Sequence, residues 1–60
     1  MTQQDIKIGS IFQDKDGNEY IIIEKYADGV YNAKVFTKSG RLSGIVSFFD
    51  SDAKYYNQIK

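Results

Sequence analysis

Apolar residues along this chain come in short bursts of Ile, Val, Tyr and Phe, broken at near-regular intervals by Asp16-Gly17-Asn18, Asp28-Gly29, Ser39-Gly40 and Asp50-Ser51-Asp52. Gly, Asn and Asp at such breaks suit the positive φ of tight hairpins, while β-branched and aromatic residues suit a pleated surface. No apolar period near 3.6 is sustained, so the pattern predicts strands joined by hairpins. These strands are expected over 6–13, 19–26, 30–37 and 42–49, with Gly9 marking a bulge or sharp bend in the first. After Phe49, Asp50-Ser51-Asp52-Ala53-Lys54 sets a capping residue and acids ahead of a Lys, which predicts one short helical or 3₁₀ turn within 50–56. Residues 55–60 then close the sheet as a fifth strand. Residues 1–5 are expected to be a flexible tail ahead of a single domain over 6–60.

The two-residue period assigns faces. Ile8, Phe12, Tyr20, Ile22, Ala33, Val35, Val46 and Phe48 are expected to point into a core. That choice leaves Ile11, Ile21, Ile23, Phe36, Ile45 and Phe49 on the opposite face. A small monomer does not ordinarily leave so apolar a stripe wet. Either strong coiling of the sheet buries it, or it is the seam of a homodimer or the docking face for a protein partner. Five Tyr and four Phe make the chain dense in rings, most of which must serve the core.

Two stretches carry a family resemblance. Lys7-Ile8-Gly9-Ser10-Ile11-Phe12 looks like the first strand, and Asp16-Gly17-Asn18-Glu19-Tyr20 like the first return turn, of Src-homology-3-like small barrels of the bacterial or phage KOW and Tudor type. The likeness covers about residues 6–60 and implies a five-stranded antiparallel barrel with a 3₁₀ turn before the last strand. The chain departs from the polyproline-binding branch, having no Ala-Leu-Tyr-Asp-Tyr-like stretch, no Trp and no Pro. Such barrels host unrelated functions, so the resemblance speaks to fold more than to activity.

Composition narrows the chemistry. With no Cys there is no disulfide, thiolate nucleophile or Cys-held zinc, and with no His the commonest general base and metal ligand is missing. No enzyme activity, cofactor or metal is therefore expected. Eight Lys and Arg balance eight Asp and Glu, so net charge draws the chain neither to nucleic acid nor to anionic lipid. The start, Met1-Thr2-Gln3-Gln4-Asp5, lacks the basic and apolar segments of a signal peptide, and the longest apolar run, Tyr20 to Ile23, is too short to span a membrane. A cytoplasmic protein is the expectation. The bias toward Ile, Lys, Tyr and Asn fits an AT-rich bacterial or phage genome.

Three clusters invite specific chemistry. Asp14-Lys15-Asp16-Gly17-Asn18-Glu19 alternates acids near a Gly, but a calcium loop of the EF-hand type needs Gly sixth and an acid twelfth, and those positions fall on Glu19 and Lys25. A solvated turn accounts for it better. Asp50 and Asp52, with Glu24 and Asp28, are the only grouped acids for acid–base work, and a barrel this small has no room for a substrate cleft between them. Capping of the 3₁₀ turn is the simpler role for Asp50 and Asp52. Finally, Lys34, Lys38 and Arg41 surround Tyr31 and Phe36, a mix that holds phosphates while rings stack on bases. Solvated hairpin tips and edge-strand Lys residues explain the same pattern. The favoured function is a non-enzymatic protein-interaction module, self-associating or binding and inhibiting a larger protein, with a nucleic-acid-binding module as the alternative.

Overall fold

A computed structural model describes residues 6–60; the tail expected over 1–5 lies outside the described residues. The chain is all-β, with five antiparallel strands in one open sheet and a short 3₁₀ turn. The strands are β1 (Ile11–Gln13), β2 (Glu19–Ala27), β3 (Val30–Phe36), β4 (Leu42–Phe49) and β5 (Asn57–Gln58), with the 3₁₀ turn at Asp50–Tyr55. Their order across the sheet is β4-β3-β2-β1-β5. Consecutive hairpins therefore lay down β1 to β4, and the 3₁₀ turn carries the chain back to the far side of β1.

The hairpins form where their residues require it. Gly17, Gly29 and Gly40 sit in the left-handed region, as expected from the three Gly-containing breaks. Asp14 organises the first turn: its Oδ1 accepts from the backbone N–H of Asp16 and Asn18 at 2.9 and 3.0 Å, and its Oδ2 from Asn18 Nδ2 and Tyr20 Oη, both at 3.1 Å. Both carboxylate oxygens are engaged in closing the loop, which is the role of a turn residue rather than of a calcium ligand.

One face of the sheet is the core. Phe12, Ile22, Ala33 and Phe48 are buried there together with Tyr31, Val35 and Ala53. Phe48 is the hub of the aromatic packing. Its ring lies 4.8 Å from that of Phe12 and 5.1 Å from that of Tyr56, and Tyr20 meets Tyr56 edge-on at 5.1 Å. The 3₁₀ turn lowers Ala53 onto this face, and Ile6 packs against it from the N-terminal side.

Several expectations need correction. The first strand is only Ile11–Gln13, because Gly9 turns the chain at a φ of +95°. Ser10 staples that turn by accepting the Lys7 N–H on its Oγ at 2.9 Å, while the Gly9 N–H reaches the Ile22 carbonyl at 2.7 Å. Ile8 is thereby swung outward and is 62% exposed instead of entering the core. Val46 does face the core side, opposite Ala33, but β4 is an edge strand and Val46 stays 42% exposed. Tyr31, read as a base-stacking ring, lies in the core between Lys25 and Phe48 in the ladder, with its ring withdrawn from solvent. The acids of the 3₁₀ turn make no side-chain cap; the Asp50 N–H instead donates to the Gly29 carbonyl at 2.9 Å.

Candidate interaction surface

The face opposite the core is built by cross-strand pairing. Ile11 pairs with Ile21, Ile21 with Lys34, and Lys34 with Ile45, so one row crosses β1 to β4. A second row runs from Gln13 through Glu19 and Phe36 to Leu42. Val30 and Phe49 form a third pair toward the far end. Ile11, Ile21, Phe36, Ile45 and Phe49 thus share a face, as their alternation requires. Ile23 does not join a row, because the ladder steps from Ile22 to Glu24 and leaves it in a bulge.

Exposure rises toward β4. Ile11, Ile21 and Phe36 are half-buried, whereas Leu42, Ile45 and Phe49 are 54%, 61% and 44% exposed. Leu42 was not singled out by sequence, although its place opposite Phe36 makes it part of the same patch. Between Ile21 and Ile45 sits Lys34, whose alkyl stem continues the apolar row while its charge stays in water. Beside Phe36 the hairpins approach each other, and a Cβ on Gly17 would lie 3.2 Å from Lys38 Cγ. An open groove of about 420 Å³ follows this contact, floored by Ile21 and Phe36 and bordered by Gln13, Glu19, Thr37 and Lys38.

The basic residues gather at the same end. Lys34 is on β3, while Lys38 and Arg41 flank the turn in which Arg41 N–H donates to Thr37 Oγ1 at 3.2 Å. Of the two rings nominated with them, only Phe36 is on the surface.

Of the acids grouped by sequence, Glu24 and Asp28 each have their own partner. Glu24 accepts from Asn32 Nδ2 at 3.0 Å, and Asp28 lies 3.5 Å from Lys25 Nζ in an exposed pair. Asp50 Oδ2 would stand 2.9 Å from a Cβ on Gly29. Among the described residues no three acids converge in a way that would hold a metal ion, and no helix is long and apolar enough to cross a membrane.

Electrostatically the one distinctive pair is Asp14 and Tyr20. Burial works to raise the Asp14 pKa, but the hydrogen bonds from Asn18, Tyr20 and the Asp16 N–H outweigh it and hold the carboxyl below its ordinary value. Burial, and then the bond to anionic Asp14, push the Tyr20 phenol up to about 12. The pair locks the first turn onto the aromatic cluster. It lies beside an open cleft of about 510 Å³ lined by Asp14, Lys15, Asp16, Asp52, Tyr55 and Tyr56.

Comparison with protein-family models, with curated proteins and with solved structures found no match to this chain. The functional reading therefore stands on the geometry of its own surface.

Proposed function

We propose that this chain is a non-enzymatic protein-interaction module of the cytoplasm, built on a small barrel of the Src-homology-3-like kind, that associates with itself or covers part of a larger protein. The observation that carries this reading is the apolar patch of Ile21, Phe36, Leu42, Ile45 and Phe49, much of it in water although the chain has only 60 residues. Exposed apolar surface of this sort marks association more often than it marks idle surface, even though the polar Glu24–Asn32–Ser47 row sets Phe49 apart from Ile45. The barrel reading draws support from β5 returning beside β1 after a 3₁₀ turn, the order that the resemblance implies.

Phe36→Lys tests the function with little risk to the fold, since the new ammonium would stand opposite Glu19 in the ladder. The wild-type protein is expected either to sediment as an oligomer or to retain a protein from nuclease-treated lysate. The variant, with an unchanged circular dichroism spectrum, is expected to lose that association. Association unaffected by Phe36→Lys would remove the patch from the interface.

A second reading rests on Lys34, Phe36, Lys38 and Arg41 lying at one end of the sheet, where phosphate contact and stacking on a single ring are geometrically compatible. The balance of charge and the loss of Tyr31 to the core rank it below protein binding.

A further inference from the structure

Strand β4 ends the sheet, and among the described residues no strand pairs along its outer side. Natural edge strands are ordinarily guarded by charge, Pro or brevity. The sequence of β4, Leu-Ser-Gly-Ile-Val-Ser-Phe-Phe, contains no charge and no Pro over 8 residues. The other edge is different: β5 has 2 residues, Asn57–Gln58.

The hydrogen-bond phase of β4 tells which groups face outward. Asp50 N–H donates to the Gly29 carbonyl, and the register then runs without a shift from Val30↔Phe49 to Val35↔Gly44. In an antiparallel ladder the bonded pairs alternate, so Phe48, Val46 and Gly44 bond to β3 while Phe49, Ser47 and Ile45 turn their N–H and C=O outward. Regular geometry stops at Gly44, whose φ is +152°, beside the register shift that follows Val35. The usable open edge is therefore Ile45 to Phe49.

From this geometry we infer that β4 pairs with β4 of a second copy of this chain, antiparallel and two-fold symmetric about Ser47, joining two sheets into one. The proposal rests on the self-association branch of the reading above. Centring on Ser47 is the register in which Ile45, Ser47 and Phe49 of both copies all exchange their outward amides. It sets Ile45 against Phe49 on the patch face and Val46 against Phe48 on the core face, both pairings of β-branched with aromatic residues. Centring on Ile45 or Val46 runs the ladder into the bulge at Ser43 and Gly44. A copy of the same chain suits the edge because the pairing is self-complementary and the zero net charge opposes no approach. Head-to-tail pairing would have to use the two-residue β5.

The test combines charge exchange with cross-linking. Ile45→Glu keeps a favourable neighbour in Lys34 within its own sheet but faces Phe49 of the second copy. The wild type is expected to sediment at twice 6.9 kDa, Ile45→Glu at 6.9 kDa, and Ile45→Glu with Phe49→Lys at twice 6.9 kDa again, because Glu and Lys then meet across the seam. Independently, Ser47→Cys introduces the only thiol of the chain and is expected to oxidise to a covalent dimer faster than Val46→Cys or Ile45→Cys. Paired residues about 5.5 Å apart at Cα suit a disulfide. A monomeric wild type at high concentration overturns the proposal. A dimer that survives Ile45→Glu but falls to Phe36→Lys also overturns it, while leaving the patch-based function intact. Fastest cross-linking at Val46 or Ile45 overturns the register.

Discussion

Replacing Tyr20 with Phe isolates the contact between the first turn and the core. The ring remains, with its packing against Phe48 and Tyr56, and only the hydroxyl that donates to Asp14 Oδ2 at 3.1 Å is removed. Hydrogen bonds to charged acceptors contribute about 1.5–3 kcal/mol, and the exposure of Asp14 to water reduces that to about 1 kcal/mol near neutral pH. In a domain of this size such a loss lowers the melting temperature by about 4–8 °C. The pH dependence has a definite sign. Tyr20 is raised from 10.0 to about 12 in the folded chain, so the unfolded chain ionises first. Its contribution is fully present below pH 10 and is lost as pH climbs from about 10 to about 12. At about 1.4 kcal/mol per pKa unit that loss is at most about 3 kcal/mol, and water screening at a half-buried ring lowers it. Melting curves of wild type and Tyr20→Phe, recorded in parallel from pH 8 to 12, cancel every pH effect that the two proteins share. Wild type should lead at pH 8 and surrender that lead by pH 12. A constant difference across the range, or none at pH 8, would refute the account of the Asp14–Tyr20 pair.

Phe48→Ala should cost about 3–5 kcal/mol, a large share of the about 3–9 kcal/mol expected for a chain of 60 residues, so circular dichroism should report a melting temperature lower by at least about 12 °C. Gly29→Ala forces a side chain onto a φ of +74° and against the Asp50 carboxylate at 2.9 Å, and should destabilise more than Gly40→Ala, which has nothing within 4 Å; equal denaturation midpoints would show that Asp50 yields freely. Acidification below about pH 4 should remove the Asp14 contribution, since its folded pKa lies under the ordinary value, and Asp14→Asn should flatten that limb of the melting-temperature profile. Fluorescence titration at low salt should show no saturable nucleic-acid binding; binding with a log-log salt slope of about −2 to −3, reduced by about one on loss of Lys34, Lys38 or Arg41, would reverse the ranking of functions.

The turns were legible because each carries its own chemistry. Gly at a φ that other residues avoid, and an Asp able to collect nearby amides, act within a few residues and need no tertiary partner. Strand β4 was read to its observed ends for the same reason. What escaped was set by distant contacts. Ile8 fits the alternation of a longer first strand, yet Ser10 closes a turn on Lys7 and the Gly9 and Ser10 backbones engage Ile22 across the sheet, so the face assignment ends at Ser10. Tyr31 carried a usable signal, since it shares parity with Ala33 and Val35 on one strand, and the same alternation that placed those residues inward places its ring inward too. Ala53 carried none: a single small residue in a polar 3₁₀ turn has no period to reveal it.

The candidate surface divides along the same line. Alternation alone grouped Ile11, Ile21, Phe36, Ile45 and Phe49, while the order of strands decided which of them are wet. Coverage is limited by chain length. Roughly 60 residues bury only about 60% of the surface they would expose unfolded. Here the 3₁₀ turn and the segment around Ile6 cover one face of the sheet, and no comparable segment among the described residues covers the other. Strand β2, with Ile21, Ile22 and Ile23 in succession, is apolar toward both faces. Its neighbours β1 and β3 shelter it from either side, but β4 has a neighbour on one side alone, so the deficit of cover accumulates there in Leu42, Ile45, Val46 and Phe49. Within this patch, added protein surface therefore removes the most water from apolar atoms if it arrives at β4, where the same approach also meets the outward amides of Ile45, Ser47 and Phe49. Docking over Ile11 at the opposite side of the patch buries less and leaves those amides as they are.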